Sequence, residues 1–236
     1  MSNPVPASSA AREPARLDIY APIHRALRLF MTDTLARVGA LDVADPREVA
    51  TVLEQLDALL ELCRHHALLE NRFVHPALEA AQPGASRRID GEHVHHFEAI
   101  AALQADAAAL RALPGAAAAL RLYRQLALFV AENFVHMHAE ETVHNPVLWA
   151  GYDDAAIAQL EQRIVAEVGP EQGALVLRWM TPALPPAERA ARYVAMRAVI
   201  PPGAFVNLLD IARGALDARG WAKLSAALAR RESVPA

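Results

Sequence analysis

The chain has 236 residues, 54% of them hydrophobic, which suits one large domain, or a domain of about 100–150 residues with an extension. Its net charge of −4 argues against a general nucleic-acid binder, which needs a basic field to neutralise phosphates. No apolar run reaches the ~18 residues of a membrane span, the start lacks the apolar stretch of a signal peptide, and the single Cys63 cannot form an internal disulfide; these features point to a reducing cytoplasm.

Residues 1–16 are rich in Pro, Ser and Ala and are expected to form a disordered tail. Alanine and leucine dominate the rest of the chain, with no alternating polar/apolar run, so an all-α fold is expected. A first helix is expected over about 17–38, with Leu27, Phe30, Met31, Leu35 and Val38 at three- and four-residue steps. A second runs from about Pro46 toward Pro76, a third from about Ser86 to Leu113, and a fourth from about Ala116 toward Pro146. Four long helices with short connections over 17–150 suggest an antiparallel up-down four-helix bundle. Shorter helices broken by Pro and Gly fill 151–236, read as a C-terminal helical extension packed on the bundle. It carries no catalytic motif, and Trp179, Met180, Met196, Phe205 and Trp221 are expected to fill core.

All ten histidines fall between positions 24 and 144. In an up-down bundle the first and third helices start where the second and fourth finish, which puts His24, the His66/Glu70 pair, His93 with His96, and the His136/Glu140 pair at one level. Each continues an apolar stripe, so each should point inward: His24 with Leu27 and Met31, His66 with Leu59 and Cys63, His93 and His96 with Ile100 and Leu103, His136 with Leu126 and Phe129. A stretch at 66–76, HALLENRFVHP, and one at 136–146, HMHAEETVHNP, share His first, Glu fifth and Pro last. The prolines are expected to mark the ends of the second and fourth helices.

A core does not hold five imidazoles and two carboxylates unpaired, because each such group costs a few kcal/mol. A metal cluster satisfies them together. His and Glu at i, i+4 share a helix face, so the imidazole can bind one metal while the carboxylate reaches across to a second. Imidazole with carboxylate suits iron, and two such helices suit a pair of irons.

The chain resembles the hemerythrin-like, or HHE cation-binding, family over about residues 17–150. The resemblance rests on APIHRALRLFM, HALLEN, EHVHH and HMHAEE in chain order, and above all on the twofold His-x-x-x-Glu followed by Pro. Ferritin-like di-iron bundles use Glu-x-x-His instead. The resemblance implies His24, His66, Glu70, a third-helix histidine, His136 and Glu140 as ligands, with His93 singled out by Glu92 before it. Oxygen-carrying members use two third-helix histidines at i, i+4, whereas His93 and His96 stand at i, i+3; both bind, or one binds and the other supports it. Those carriers also use an Asp on the fourth helix where this chain has Glu140, which is closer to stress-response members. Members that repair iron–sulfur clusters carry a further N-terminal domain with a Cys pair, where this chain has a Pro-rich tail.

The remaining residues are expected in lesser roles. His75 and His144 should be exposed polar residues at helix ends, or a second metal site or the rim of an entrance. His65, His95 and His138 should face solvent or flank the site, Glu141 should form a salt bridge, and Cys63 should be a small buried hydrophobe. The leading expectation is a cytoplasmic non-haem di-iron protein, with two irons bridged by Glu70 and Glu140 and neither haem nor nucleotide. An open position would bind O2, NO or peroxide beside an apolar lining such as Phe30, Phe73, Phe134 and Met137. The alternatives are a small di-iron oxidase or peroxidase using a proton donor such as Tyr20 or Tyr123, and a metal-gated module whose extension binds a protein partner. No nucleic-acid or membrane partner is expected, and a homodimer is possible.

Overall fold

The computed structural model describes residues 16–230, and the described residues form helices with no strand. The tail expected at 1–16 lies outside the described residues except for Arg16. The Arg16 guanidinium donates to Asp154 (2.7 Å) and to the carbonyls of Trp149 (3.0 Å) and Tyr152 (2.6 Å). No helix among the described residues is long and apolar enough to cross a membrane.

Helix α1 (Ala21–Gly39) begins after Leu17 because Asp18 accepts from the backbone N–H groups of Tyr20 and Ala21, both at 2.9 Å, and Pro22 fills the first turn. Helix α2 (Pro46–Leu69) opens on the carboxylate of Asp45, which accepts from Arg47 N–H at 2.8 Å and Glu48 N–H at 3.4 Å. The expectation that this helix ends at Pro76 does not hold. The chain passes through a π turn, Glu70–Val74, and continues as α3 (His75–Ala81). The His75 N–H bonds the Glu70 carbonyl, five residues back. The widened turn relieves the clash a proline ring makes with the carbonyl four residues before it, so Pro76 is carried inside a continuous helical path.

A turn made by Gly84 at φ 89°, where side chains are strained, leads into α4 (Arg87–Ala112). Glu79 caps this turn, accepting from Gly84 N–H (2.6 Å) and Ser86 N–H (2.9 Å). Helix α5 (Ala116–Ala139) then repeats the design of α2: a π turn, Glu140–His144, is followed by α6 (Asn145–Gly151), with Asn145 N–H on the Glu140 carbonyl and Pro146 carried through. The fourth helix therefore also fails to end at its proline.

Helix α1 packs against α2 and α5, and α4 packs against the same two, closing a ring of four contacts. Leu27, Phe30, Leu53, Leu56, Leu60, Leu110, Leu122 and Leu126 form its core, each at most 1% exposed. Beyond the ring, α3 crosses α6 so closely that a Cβ on Gly151 would lie 2.7 Å from that of Ala81. The rest of the chain forms α7 (Asp154–Ala166), α8 (Pro170–Ala183), α9 (Pro186–Val199), α10 (Pro202–Ala215) and α11 (Ala218–Arg230). Helix α8 lies on α1, with Trp179 stacked on Phe30 at 4.1 Å and 13°. Met180 and Phe205 are buried as expected, whereas Trp179, Met196 and Trp221 are half-buried and pack against these clusters.

Candidate metal centre

The stripe of α1 aims His24 inward, the ends of α2 and α5 aim His66 and His136, and α4 aims His93. Glu70 and Glu140 each open a π turn one helical turn later. Every one of these side chains is buried except His66, which is 17% exposed.

The donor atoms fall into two groups sharing both carboxylates. Nε2 of His24 and His66, with one oxygen each of Glu70 and Glu140, form the first. His66 Nε2 is 3.2 Å from Glu70 Oε1, and His24 Nε2 is 3.4 Å from Glu140 Oε2. His93 and His136 with the other two oxygens form the second: His93 Nε2 is 3.5 Å from Glu70 Oε2, and His136 Nε2 is 3.3 Å from Glu140 Oε1. Ligands of one ion at ~2.1 Å bonds stand about 3.0–3.4 Å apart; these four contacts are at 3.2–3.5 Å, and the cross contacts His24–Glu70 and His93–Glu140 are at 3.9 Å. Each carboxylate thus turns one oxygen to each imidazole pair.

Nε2 of His24 and His66 and all four carboxylate oxygens are buried without a hydrogen-bond partner. At roughly 1–3 kcal/mol per orphaned group, these six atoms cost about as much as a domain's whole stability of ~5–15 kcal/mol. The buried His/Glu clusters can hold a metal ion, and a shared cation removes that cost.

Neighbouring groups orient the imidazoles. The Nδ1–H of His93 donates to Asn71 Oδ1 at 2.5 Å, and that of His136 donates to Glu92 at 2.9 Å, with Arg88 holding the other Glu92 oxygen. With Nδ1 protonated in both rings, two Nε2 lone pairs face each other at 3.0 Å, which is repulsive until a proton or a cation lies among them. The Nδ1–H of His24 donates to Glu141 at 3.0 Å, and Arg28 grips both oxygens of Glu141. Glu141 forms the expected salt bridge and also orients a ligand.

Without metal, protons fill the role. Burial would depress His24, but the Glu141 and Glu70 carboxylates outweigh it and raise it to about 9. Burial likewise opposes Glu140 at His136, and Glu140 wins, giving about 8. Burial and the neighbouring Glu140 push Glu70 up to about 7, while His136 outweighs burial and pulls Glu140 well below the usual carboxylate range. His66 falls to about 3 through burial and the charge on His24, and His93 falls to about 2 through burial and His136.

His24, His66, Glu70, His93, His136 and Glu140 meet as expected. His96 is buried, its ring 4.6 Å from that of His136, but it belongs to neither donor group. The expectation of exposed His75 and His144 is wrong: they are 4% and 1% exposed and form a third donor group with Glu140. His144, four residues past Glu140, shares its helix face, and the π turn returns His75, five residues past Glu70, to the same side. His75 Nδ1 donates to Asp90 at 2.5 Å, its ring stacks on His93 at 5.2 Å, and its Nε2 is an orphan. His144 Nδ1 pairs with the Tyr20 hydroxyl at 3.1 Å. His95 and His138 face solvent as expected, and His65 is half-buried. Burial holds the Cys63 thiol up at about 12, as suits a buried hydrophobe.

Two further expectations need correction. Tyr123 lies against Gly39 at the far end of α1, so of the two tyrosines only Tyr20 is near the centre. Of the expected apolar lining, only Met137 borders the void beside His93 and His136; Leu27, Cys63, Ala67, Ile100 and Phe129 supply the rest of its apolar wall. Phe30 is taken up by Trp179, and Phe73 lies under the Arg72 and Arg163 guanidiniums. The roles of Asn71 and Asp90 escaped sequence reasoning; the signal was an Asn one residue past Glu70 and an Asp one turn before His93. Comparison with protein-family models, curated proteins and solved structures finds no match.

Proposed function

We propose that this is a hemerythrin-like protein: an antiparallel up-down bundle of α1, α2, α4 and α5 that holds two iron ions and binds a small ligand such as O2, NO or peroxide in a reducing cytoplasm. One observation carries the reading. Glu70 and Glu140 each send their two oxygens to different imidazole pairs, and all four oxygens lack a hydrogen-bond partner. His24 and His66 would hold one ion, His93 and His136 the other, and both carboxylates would bridge.

Two ferrous ions held this way would supply two electrons to a small ligand. The chain does the rest. Asn71, Glu92 and Glu141 fix the imidazole tautomers. A void of about 10 Å³ beside His66, His93 and His136 gives room for about one water-sized molecule. Leu27, Ile100, Phe129 and Met137 wall it and keep bulk water out. His96 also borders it, placed to contact the small ligand.

Anaerobic iron titration followed by optical spectra on O2 exposure tests the reading. New absorption bands and two ions per chain are expected, and one ion per chain or fewer overturns it. Tyr20 favours a second reading, a di-iron oxidase or peroxidase, because its hydroxyl is hydrogen-bonded into the third histidine group. Steady turnover of peroxide or NO that Glu70→Ala abolishes would support the enzyme over reversible binding.

A further inference from the structure

Between α1, α2 and helices α7 to α10 lies a cavity of about 580 Å³, within the ~300–1,000 Å³ of small-molecule sites. Its inner wall carries Tyr20, His66 and Glu70, so it reaches the metal centre. Its outer wall comes from the extension, including Ile164, Val176, Leu177, Met196, Ile200 and Leu208. Val165 and Val199 are 58% and 81% exposed and also border it, so they mark an apolar mouth. Arg192 and Glu161 line it 3.2 Å apart and offset each other's charge. The larger cleft over Arg72, Phe73 and Arg163, about 860 Å³, borders none of the metal-facing donors.

We propose that this cavity binds an uncharged, aliphatic small molecule with one end against His66 and Glu70. Aliphatic walls from four successive helices exclude a solvated guest, and burying an aliphatic one removes apolar surface on both sides from water. With Arg192 paired to Glu161, the lining offers no unpaired Arg or Lys to hold an anionic head. The extension thus acquires a role, closing a guest site over one face of the centre. Only the identity of what lies at the inner end rests on the proposed function.

The test uses the full chain. A neutral solvatochromic dye should bind the metal-free protein and be displaced by a long-chain primary alcohol. Gly173 lines the cavity within α8, and a Cβ there meets nothing nearer than Val168 Cγ1 at 3.9 Å, so Gly173→Leu fills the cavity without breaking the helix. The variant should weaken dye binding at least about tenfold at a melting temperature no lower than the parent's and at unchanged metal content. With Co(II) loaded, the NMR lines of one end of the alcohol should broaden more than those of the other. No dye binding, equal binding by Gly173→Leu, displacement by a long-chain carboxylate in preference to the alcohol, or no differential broadening overturns the proposal. If no metal binds, the proposed function fails, while the dye arm still judges the cavity.

Discussion

At the scale of single residues, the proposed function turns on which groups would touch a metal and which orient those that do. Asn71→Ala and Glu92→Ala each free one imidazole without removing a ligand, so metal affinity should fall about 10–100-fold at unchanged stoichiometry. Solvent-facing His95→Ala should change nothing. Metal titration separates these outcomes, and equal effects from all three would contradict the assignment. Protonation gives a second check. In the metal-free protein His24 at about 9 and His136 at about 8 lie above the ordinary ~6.5 of an unfolded histidine. Their stabilisation is full below pH ~6.5 and is lost as pH rises through 8 and 9. His66, His93 and His96 are depressed by burial and act the other way, weakening the fold as pH falls below ~6.5. Melting temperature of the metal-free protein should therefore peak near pH ~6.5 and decline on both sides, and the metal-loaded protein should lose the alkaline decline. The same protons must leave when metal binds, so calorimetry at pH 7 in buffers of different ionisation heat should detect proton release. The inward direction of the six proposed ligands was legible, because apolar stripes at helical spacing carry them. The orienting contacts were not, because an Asn or Asp on a helix surface looks the same with or without an imidazole partner.

At the scale of elements the π turns are the main departure from the sequence pattern. A proline inside a helical stretch reads as a stop, and only the i→i−5 bonds from His75 and Asn145 reveal the detour. Deleting exposed Arg72 should return the first turn to α geometry and set the Pro76 ring against a carbonyl. The expected loss is ~3 kcal/mol in denaturant unfolding, largely restored by adding Pro76→Ala. A deletion as stable as the parent would remove proline accommodation as the reason for the turn. The long helices themselves were legible from stripe spacing and from turn signals such as Asp45-Pro46 and Pro114-Gly115. The start of α1 was not, because the Asp18 cap competes with an apolar stripe that runs on toward Leu17.

At the scale of the whole molecule, the extension is anchored on the ring of helices through α8 and roofs a cavity at the end that carries His66 and Glu70. Trp179→Ala removes a stacked, half-buried ring from the α1–α8 contact, so it should cost about 2 kcal/mol, less than the ~3–5 of a fully buried Trp, while leaving metal content intact. The helical content of residues 151–236 was legible from short apolar stretches between Pro and Gly; that they help wall a cavity at His66 and Glu70 was not, since long-range closure leaves no local pattern. The central claim remains the shared use of Glu70 and Glu140 by two ions. The most direct measurement is metal content per chain after anaerobic iron loading of the parent protein and of Glu140→Ala. The account predicts two ions in the parent and less than one in the variant, because that one carboxylate serves both positions. A parent that holds a single ion, or a variant that still holds two, would contradict it.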